Sequence, residues 1–341
     1  MKNKKGIAFY LVRGLLGIAI LVILSFLILY LSVPSYRFED PVAFHGGFIY
    51  NPYKSDKDNW HYYDFRSDTI DEQGFDVCEY GYGLSKTRYL CIGTKDKRKI
   101  DYPFFQNIHY KQFNIDELQK KCRFAVPAYI DKGFKLREMR YLSHYRLLEV
   151  LNADCQAVNY WDEALSHGVR VNILASCGNN AEDVKYVTVV NAEEVDSVYA
   201  ALESGDSYAF AYQRDIKDLP ALDFVHLDGD TVTLQVSEKA AVIRFVGQNG
   251  VVRDSVVNSE TASYCFAPDD TYIRAELVFD DGTVMYLNAL LRHPYQYYFD
   301  PNMAVVMKGR TMLMRVVYIV ALIALGRYLL MRRKNEVDGS E

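Results

Sequence analysis

The run Ser176-Cys177-Gly178-Asn179-Asn180 places a hydroxyl, a thiol and two carboxamides directly after the alternating, β-branched stretch 169–175. In parallel α/β folds chemistry collects where strand C-termini run into loops, so this run is the natural place for a reactive or ligand-binding group. Cys177 has the element of a nucleophile, but no His stands near it in sequence to activate it, and a thiol without such a partner stays protonated at neutral pH. Two carboxylates lie upstream, Glu149 in the apolar run 147–151 and Asp162 in the helical run 160–166. Both are candidate catalytic acids. The plainer alternative is that Glu149 hydrogen-bonds inside the fold and Asp162 supports the first turn of its helix. Metal sites need His, Cys or acids at ligand spacing. The seven His (His45, His61, His109, His144, His167, His226, His293) show no such pair. Of the six Cys, Cys91 and Cys265 sit in strand-like runs that suit buried, inert thiols. Cys155–Cys177 is the pair to test first for a disulfide.

These residues need a scaffold, and residues 147–180 supply its central unit: strand, loop, helix, strand, loop. The helical stretch 160–166 is closed by Gly168. Two strands and a helix in so short a length make a βαβ unit, which predicts a parallel sheet. Further strands are expected at 62–66, 89–93, 124–130, 186–190 and 208–212, with helices at 114–121, 136–143 and 193–203. From about 222 to 290 the helical period disappears. Alternating runs at 231–236, 242–246, 251–257, 272–279 and 283–287 are separated by Asp228-Gly229, Asn249-Gly250 and Asp281-Gly282, all hairpin-turn pairs. The expected architecture is an α/β domain over 34–212 followed by a small antiparallel β-sandwich over 213–296.

Charge and hydropathy point to a membrane at both ends. Residues 14–33 carry no charge over twenty positions, enough at ~1.5 Å per residue to cross a ~30 Å hydrocarbon core. No A-x-A-like cleavage site follows, so the segment reads as a retained anchor. A second span is expected at 311–331, with Arg315 and Arg327 near its ends. The aromatic stretch 295–299 stands upstream as an interfacial belt, a membrane-proximal segment runs over 297–310, and a basic tail, 332–341, follows the span. Basic residues at both termini place both ends in the cytoplasm and residues 34–310 outside, although Lys308 and Arg310 fall on the wrong side of that rule. The stretch 34–307 holds 28 basic against 41 acidic residues, which argues against a nucleic-acid ligand.

Several motifs together resemble a known family. Asn51-Pro52-Tyr53, Trp60 and Phe65-Arg66-Ser67-Asp68-Thr69 resemble the opening of PHP (polymerase and histidinol phosphatase) domains. In the membrane-associated or secreted phosphoesterase-like branch, N-P-Y and a Trp precede a strand ending in H-x-H-T. Residues 87–96 (TRYLCIGTKD) are similar to the next strand, which ends in T-D-H in the family, and 115–129 to a segment ending in A-H-P. LEVLN at 148–152, Trp161-Asp162 and Gly168 resemble an I-E-x-x-N … W-D … G pattern, and 173–179 stand where a strand leads to S-D-x-H. The resemblance covers about residues 50–290.

That resemblance implies a distorted (β/α)7 barrel whose strand ends hold two or three divalent metals for phosphoester hydrolysis. Position by position, the ligands are replaced. Arg66 and Asp68 stand at H-x-H, Lys95 and Asp96 at D-H, Pro127 near the His of A-H-P, and Cys177 and Asn179 at the last Asp and His. The resemblance thus implies a vestigial cleft of Arg66, Asp68, Lys95, Asp96, Glu149, Asn152, Cys177, Asn179 and Asn180, with Arg66–Asp96 or Lys95–Asp68 ion pairs where metals would sit. The expected protein is a membrane-anchored, extracytoplasmic, non-catalytic binding or assembly module. Its partners would be the bilayer and an unidentified protein or small polar ligand, and it would need no cofactor. The alternatives are a divergent metal-dependent phosphoesterase using Asp68, Asp96 and Glu149 around one divalent metal, and a purely structural envelope protein.

Overall fold

In the computed structural model of the 341-residue chain, the described residues are 2–31, 33–54, 59–65, 76–82, 87–94, 106–177, 185–294 and 304–338. They fall into two compact units, Phe38–Ala304 and a second built from Met1–Arg37 with Val305–Glu341.

Within Phe38–Ala304 the helices and strands follow local signals closely. Asn107 caps the helix Ile108–Gln119, its side-chain oxygen accepting from the N–H groups of His109 and Tyr110. The helix Val158–Ser166 buries Trp161, Ala164 and Leu165. The chain then reverses at Gly168, whose φ is +76°. A Cβ at Gly168 would lie 2.0 Å from the Val42 carbonyl oxygen, so both backbone conformation and close approach require glycine there. Residues 136–143, expected as a helix, form only a 3₁₀ turn at Leu136–Arg140. The strands Phe48–Tyr50 and Val77–Tyr82 lie outside the expected set.

The sheet topology departs from the parallel expectation. Leu147–Asn152 and Asn172–Ser176 do pair in parallel, as the βαβ reading requires. The adjoining Val77–Tyr82, Thr87–Ile92 and Phe124–Ala128 form an antiparallel three-stranded sheet. Ten of the other strands build one sheet whose pairings are all antiparallel. Its main path runs Leu222–Asp228, Thr231–Gly247, Tyr272–Val278, Val284–Leu287, Ser207–Tyr212, Lys185–Asn191 and Trp60–Tyr63. Strands on both sides of residue 212 therefore share one sheet. They join where Ser207–Tyr212 pairs antiparallel with Val284–Leu287, and Ser207–Tyr212 itself returns antiparallel beside Lys185–Asn191 after the helix Val195–Ser204 ends at Gly205 in the left-handed region. The runs 231–236 and 242–246 are one long strand, Thr231–Gly247, paired along most of its length with Val251–Cys265.

Side chains, in place of a backbone ladder, join the parallel pair to the large sheet. Thr188 Oγ1 accepts from Ala175 N–H (2.9 Å) and donates to Ala175 C=O (2.8 Å). Asn288 Oδ1 accepts from Ile173 N–H at 2.8 Å, while its Nδ2 donates to the carbonyls of Gly205 and Ser207. Ile173 and Ala175 expose their polar groups along the same strand edge. Leaving that edge dry and unpaired would cost the desolvation of each group, and two buried side chains satisfy it.

In the terminal unit, helices run over Lys2–Tyr30 and Lys308–Asp338. The stretch Lys308–Tyr328, 21 residues, is long and apolar enough to cross a membrane. It begins three residues before the expected 311 because the helix starts at Lys308. The apolar part of the N-terminal helix among the described residues, Gly14–Ile28, is shorter than the ~20 residues a span needs. Of the two expected spans, the described residues show one by length and composition.

Candidate functional site

Three strand C-termini converge on Glu149. Phe124–Ala128 ends at Tyr129, whose φ of +46° turns the chain and aims its N–H inward. Tyr129 N–H donates to Glu149 Oε2 at 3.1 Å, and Asn152 Nδ2 donates to the same oxygen at 2.7 Å. Ser176, last in the neighbouring parallel strand, donates its hydroxyl to Glu149 Oε1 at 2.5 Å. Glu149, Asn152 and Ser176 are all buried. Asn152 also accepts from Asp154 N–H at 2.9 Å, so one carboxamide orients the carboxylate and shapes the following turn.

A buried carboxylate is tolerated when donors surround it. Here each oxygen already accepts from the chain's own N–H or O–H groups. A metal ion would need those lone pairs and would meet donors in their place, so this first ring of groups does not suit a divalent ion. Among the described residues no group of three or more His, Cys, Asp or Glu is placed to hold a metal.

Cys177 follows Ser176 and is half-buried; its N–H donates to Asp64 Oδ1 at 3.2 Å. Burial first, then the Asp64 charge, pushes the Cys177 thiol up, opposed by the Tyr186 backbone and Lys185. That is the wrong direction for a nucleophile at neutral pH. Burial likewise pushes the Cys155 thiol up to about 12. No disulfide joins Cys155 to Cys177 in this structure. Asp64 holds the strand-end position because Trp60–Tyr63 stops three residues before the expected 66. Arg66, Asp68, Lys95, Asp96, Asn179 and Asn180 lie outside the described residues.

The second carboxylate has a different role from the one expected. Asp162 does not serve the start of its helix; it receives a bidentate ion pair from Arg274 on the strand Tyr272–Val278. Nε lies 2.7 Å from Oδ1 and Nη2 2.8 Å from Oδ2, with Tyr272 OH 3.0 Å from Oδ1. Arg274 also reaches Glu276 Oε1 at 2.6 Å, and its guanidinium lies 4.9 Å from the centroid of the buried Trp161 ring. Burial works to lower the Arg274 pKa, but the bonds and charge of Asp162, then Glu276, outweigh it and hold the group above its ordinary value. Nearby, Gln248 Nε2 and Asn249 N–H donate to Ser166 C=O and Oγ, both at 2.7 Å, docking the 248–250 turn on the helix end. A Cβ on Gly250, at φ +71°, would come 2.8 Å from Asp162 Oδ2. A cavity of about 470 Å³ opens beside this network, lined in part by Val158, Asn159, Arg244 and Glu276.

The Trp161-Asp162 dipeptide and Gly168 were visible in the sequence, but Arg274, Thr188 and Asn288 were not. Nothing local marks those three: Arg274 shares its strand with Glu276, Thr188 is an ordinary β-branched strand residue, and Asn288 lies between the strands Val284–Leu287 and Leu290–His293.

Comparison with known proteins adds little to the site. No protein-family model matches the chain, and no curated protein matches it. Among solved structures it is similar to a two-domain protein from Bacteroides vulgatus containing a predicted PHP-like metal-dependent phosphoesterase. The identity is 10%, the match covers 70% of this chain and 77% of that one, and the TM-score is 0.33. A likeness at that score carries no argument about chemistry.

Proposed function

We propose that this chain is a membrane-anchored, extracytoplasmic relative of the PHP phosphoesterases that binds or assembles and does not hydrolyse. The family reading rests on the sequence motifs. The observation that carries the loss of hydrolysis is Glu149: its two oxygens accept from Ser176, Asn152 and Tyr129 N–H, so the carboxylate is occupied as a structural acceptor. The substitutions Arg66, Lys95, Cys177 and Asn179 at the motif positions support the same reading. Two cations at those positions would pair with Asp68 and Asp96 and leave a polar cleft suited to an anionic or polar ligand. The apolar side chains exposed on Lys308–Asp338, such as Met312 and Leu313, need a nonpolar cover, and a bilayer supplies one.

The test uses the full chain in detergent, purified without chelators. Metal content is measured, and phosphomonoester and phosphodiester substrates are supplied with Mn, Zn or Fe. The expected result is substoichiometric metal and no turnover. Near-stoichiometric metal with turnover abolished by Asp68→Ala overturns the proposal in favour of a divergent hydrolase. Reporter enzymes fused after Asp300 and after Glu341 should report opposite compartments. The same compartment at both points means that the C-terminal helix does not span.

A further inference from the structure

Three cysteines meet where the antiparallel three-stranded sheet packs on the helix Ile108–Gln119. Cys91 lies in Thr87–Ile92, directly opposite Cys78 of Val77–Tyr82 and Ala125 of Phe124–Ala128. Cys122 stands in the tight turn between that helix and Phe124–Ala128, held by backbone bonds from Lys121 and Cys122 to Leu118 C=O. This turn brings Cys122 over Cys91. Their sulfurs are 2.8 Å apart, and a disulfide is about 2.05 Å long, so small side-chain rotations suffice to close the bond. Cys78 is turned away, its thiol donating to Thr94 C=O at 3.3 Å.

We propose that Cys91 and Cys122 form a specific disulfide, made by exchange with a disulfide donor, either an oxidised thiol–disulfide exchange protein or glutathione disulfide. In that exchange the Cys122 thiolate attacks one donor sulfur, breaking the donor S–S bond and giving a mixed disulfide. Cys91 sulfur then attacks the Cys122 sulfur, forming Cys91–Cys122 and releasing the second donor thiolate. Two electrons pass to the donor, which leaves as two thiols carrying the two protons. Cys122 leads because it is the less buried of the two; Cys91 is fully enclosed. The Cys122 thiol and burial both push the Cys91 thiol far up, so in the closed core Cys91 is a poor free nucleophile. The bond therefore forms before or during packing of the helix Ile108–Gln119. It would close a loop of about thirty residues and restrict the unfolded chain accordingly.

The presence of the bond in the cell rests on the outward placement proposed above, because such compartments favour disulfides; the geometry of the pair does not. The test separates the two. Cells are quenched with N-ethylmaleimide in denaturant, the full chain is isolated from membranes, then reduced, labelled with iodoacetamide and mapped by peptide. The expected result is iodoacetamide on Cys91 and Cys122 and maleimide on the other four of the six cysteines. A second arm refolds reduced full chain with glutathione disulfide. Maleimide on all six in cells, with Cys91–Cys122 formed in the refolding arm, supports the pair and overturns the outward placement. Maleimide on Cys91 and Cys122 in both arms, or a Cys78–Cys91 link, overturns the pair. Cys122→Ser, at the less buried position, should leave Cys91 labelled by maleimide; continued protection of Cys91 in that variant also overturns it.

Discussion

Replacing Asp162 by Asn tests whether the Trp-Asp motif is structural. The change keeps the side-chain shape and removes one charge facing a guanidinium whose side chain is only 2% exposed. Breaking one partner of a buried pair typically costs about 3–5 kcal/mol, because the remaining charge is stranded. Glu276 still holds Nη1, and the neighbouring cavity admits water, so the lower end, about 3 kcal/mol, applies. At about 2–4 °C per kcal/mol for a unit of this size, the Tm should fall by about 6–12 °C. Arg274→Met should cost a similar amount, since Asp162 keeps only the Tyr272 hydroxyl. The double variant Asp162→Asn/Arg274→Met should cost less than the sum by about 2 kcal/mol, because neither charge is then stranded. The assay is thermal and urea unfolding of the full chain in detergent, arranged as a double-mutant cycle. A Tm drop below about 2 °C for Asp162→Asn, or additivity within about 0.5 kcal/mol, refutes the reasoning.

Three further outcomes follow from the same geometry. Glu149→Gln places an NH2 against one of three donors, so it should destabilise by about 1–3 kcal/mol in urea unfolding; unchanged stability would mean that the Ser176–Glu149–Asn152 cluster is not formed. Thr188→Val keeps the volume but strands both polar groups of Ala175, with an expected cost of about 2–4 kcal/mol and faster amide exchange at Ala175; unchanged exchange there would refute the bridge. The Arg214 guanidinium, bonded to Asp281 at 2.5 Å, holds that carboxyl well below the usual range despite partial burial. Its folded pKa is lower than its unfolded one, so the contribution is full above about pH 4 and fades as the pH falls below that. Asp281 is about a third exposed, so the effect should be modest, under about 1 kcal/mol. The Tm gap between the native chain and Asp281→Asn should therefore narrow from pH 7 to pH 3, and a gap that widens on acidification contradicts the sign.

Local chemistry decides what the sequence alone reveals. The helical stretch expected at 160–166 and closed by Gly168 is the helix Val158–Ser166, and three Xaa-Gly pairs marked turns whose glycines all have positive φ. Glu149 was legible as a carboxylate held within the fold, because an acid inside a five-residue apolar run has few other ways to exist. Strand direction was not legible. Alternation gives a strand its faces but not its neighbours, so the βαβ unit predicted a parallel sheet while Ser207–Tyr212 returned antiparallel beside Lys185–Asn191. Nor did alternation show that 231–236 and 242–246 are one strand, since Ser237-Glu238-Lys239 reads as a break when one face is solvated. The Asp162–Arg274 pair, the Thr188 and Asn288 bridges and the Cys91–Cys122 contact each join residues between 13 and 115 positions apart. Such contacts are fixed only when packing brings distant elements together, because a side chain's own sequence specifies what it offers to bond and not what will stand opposite.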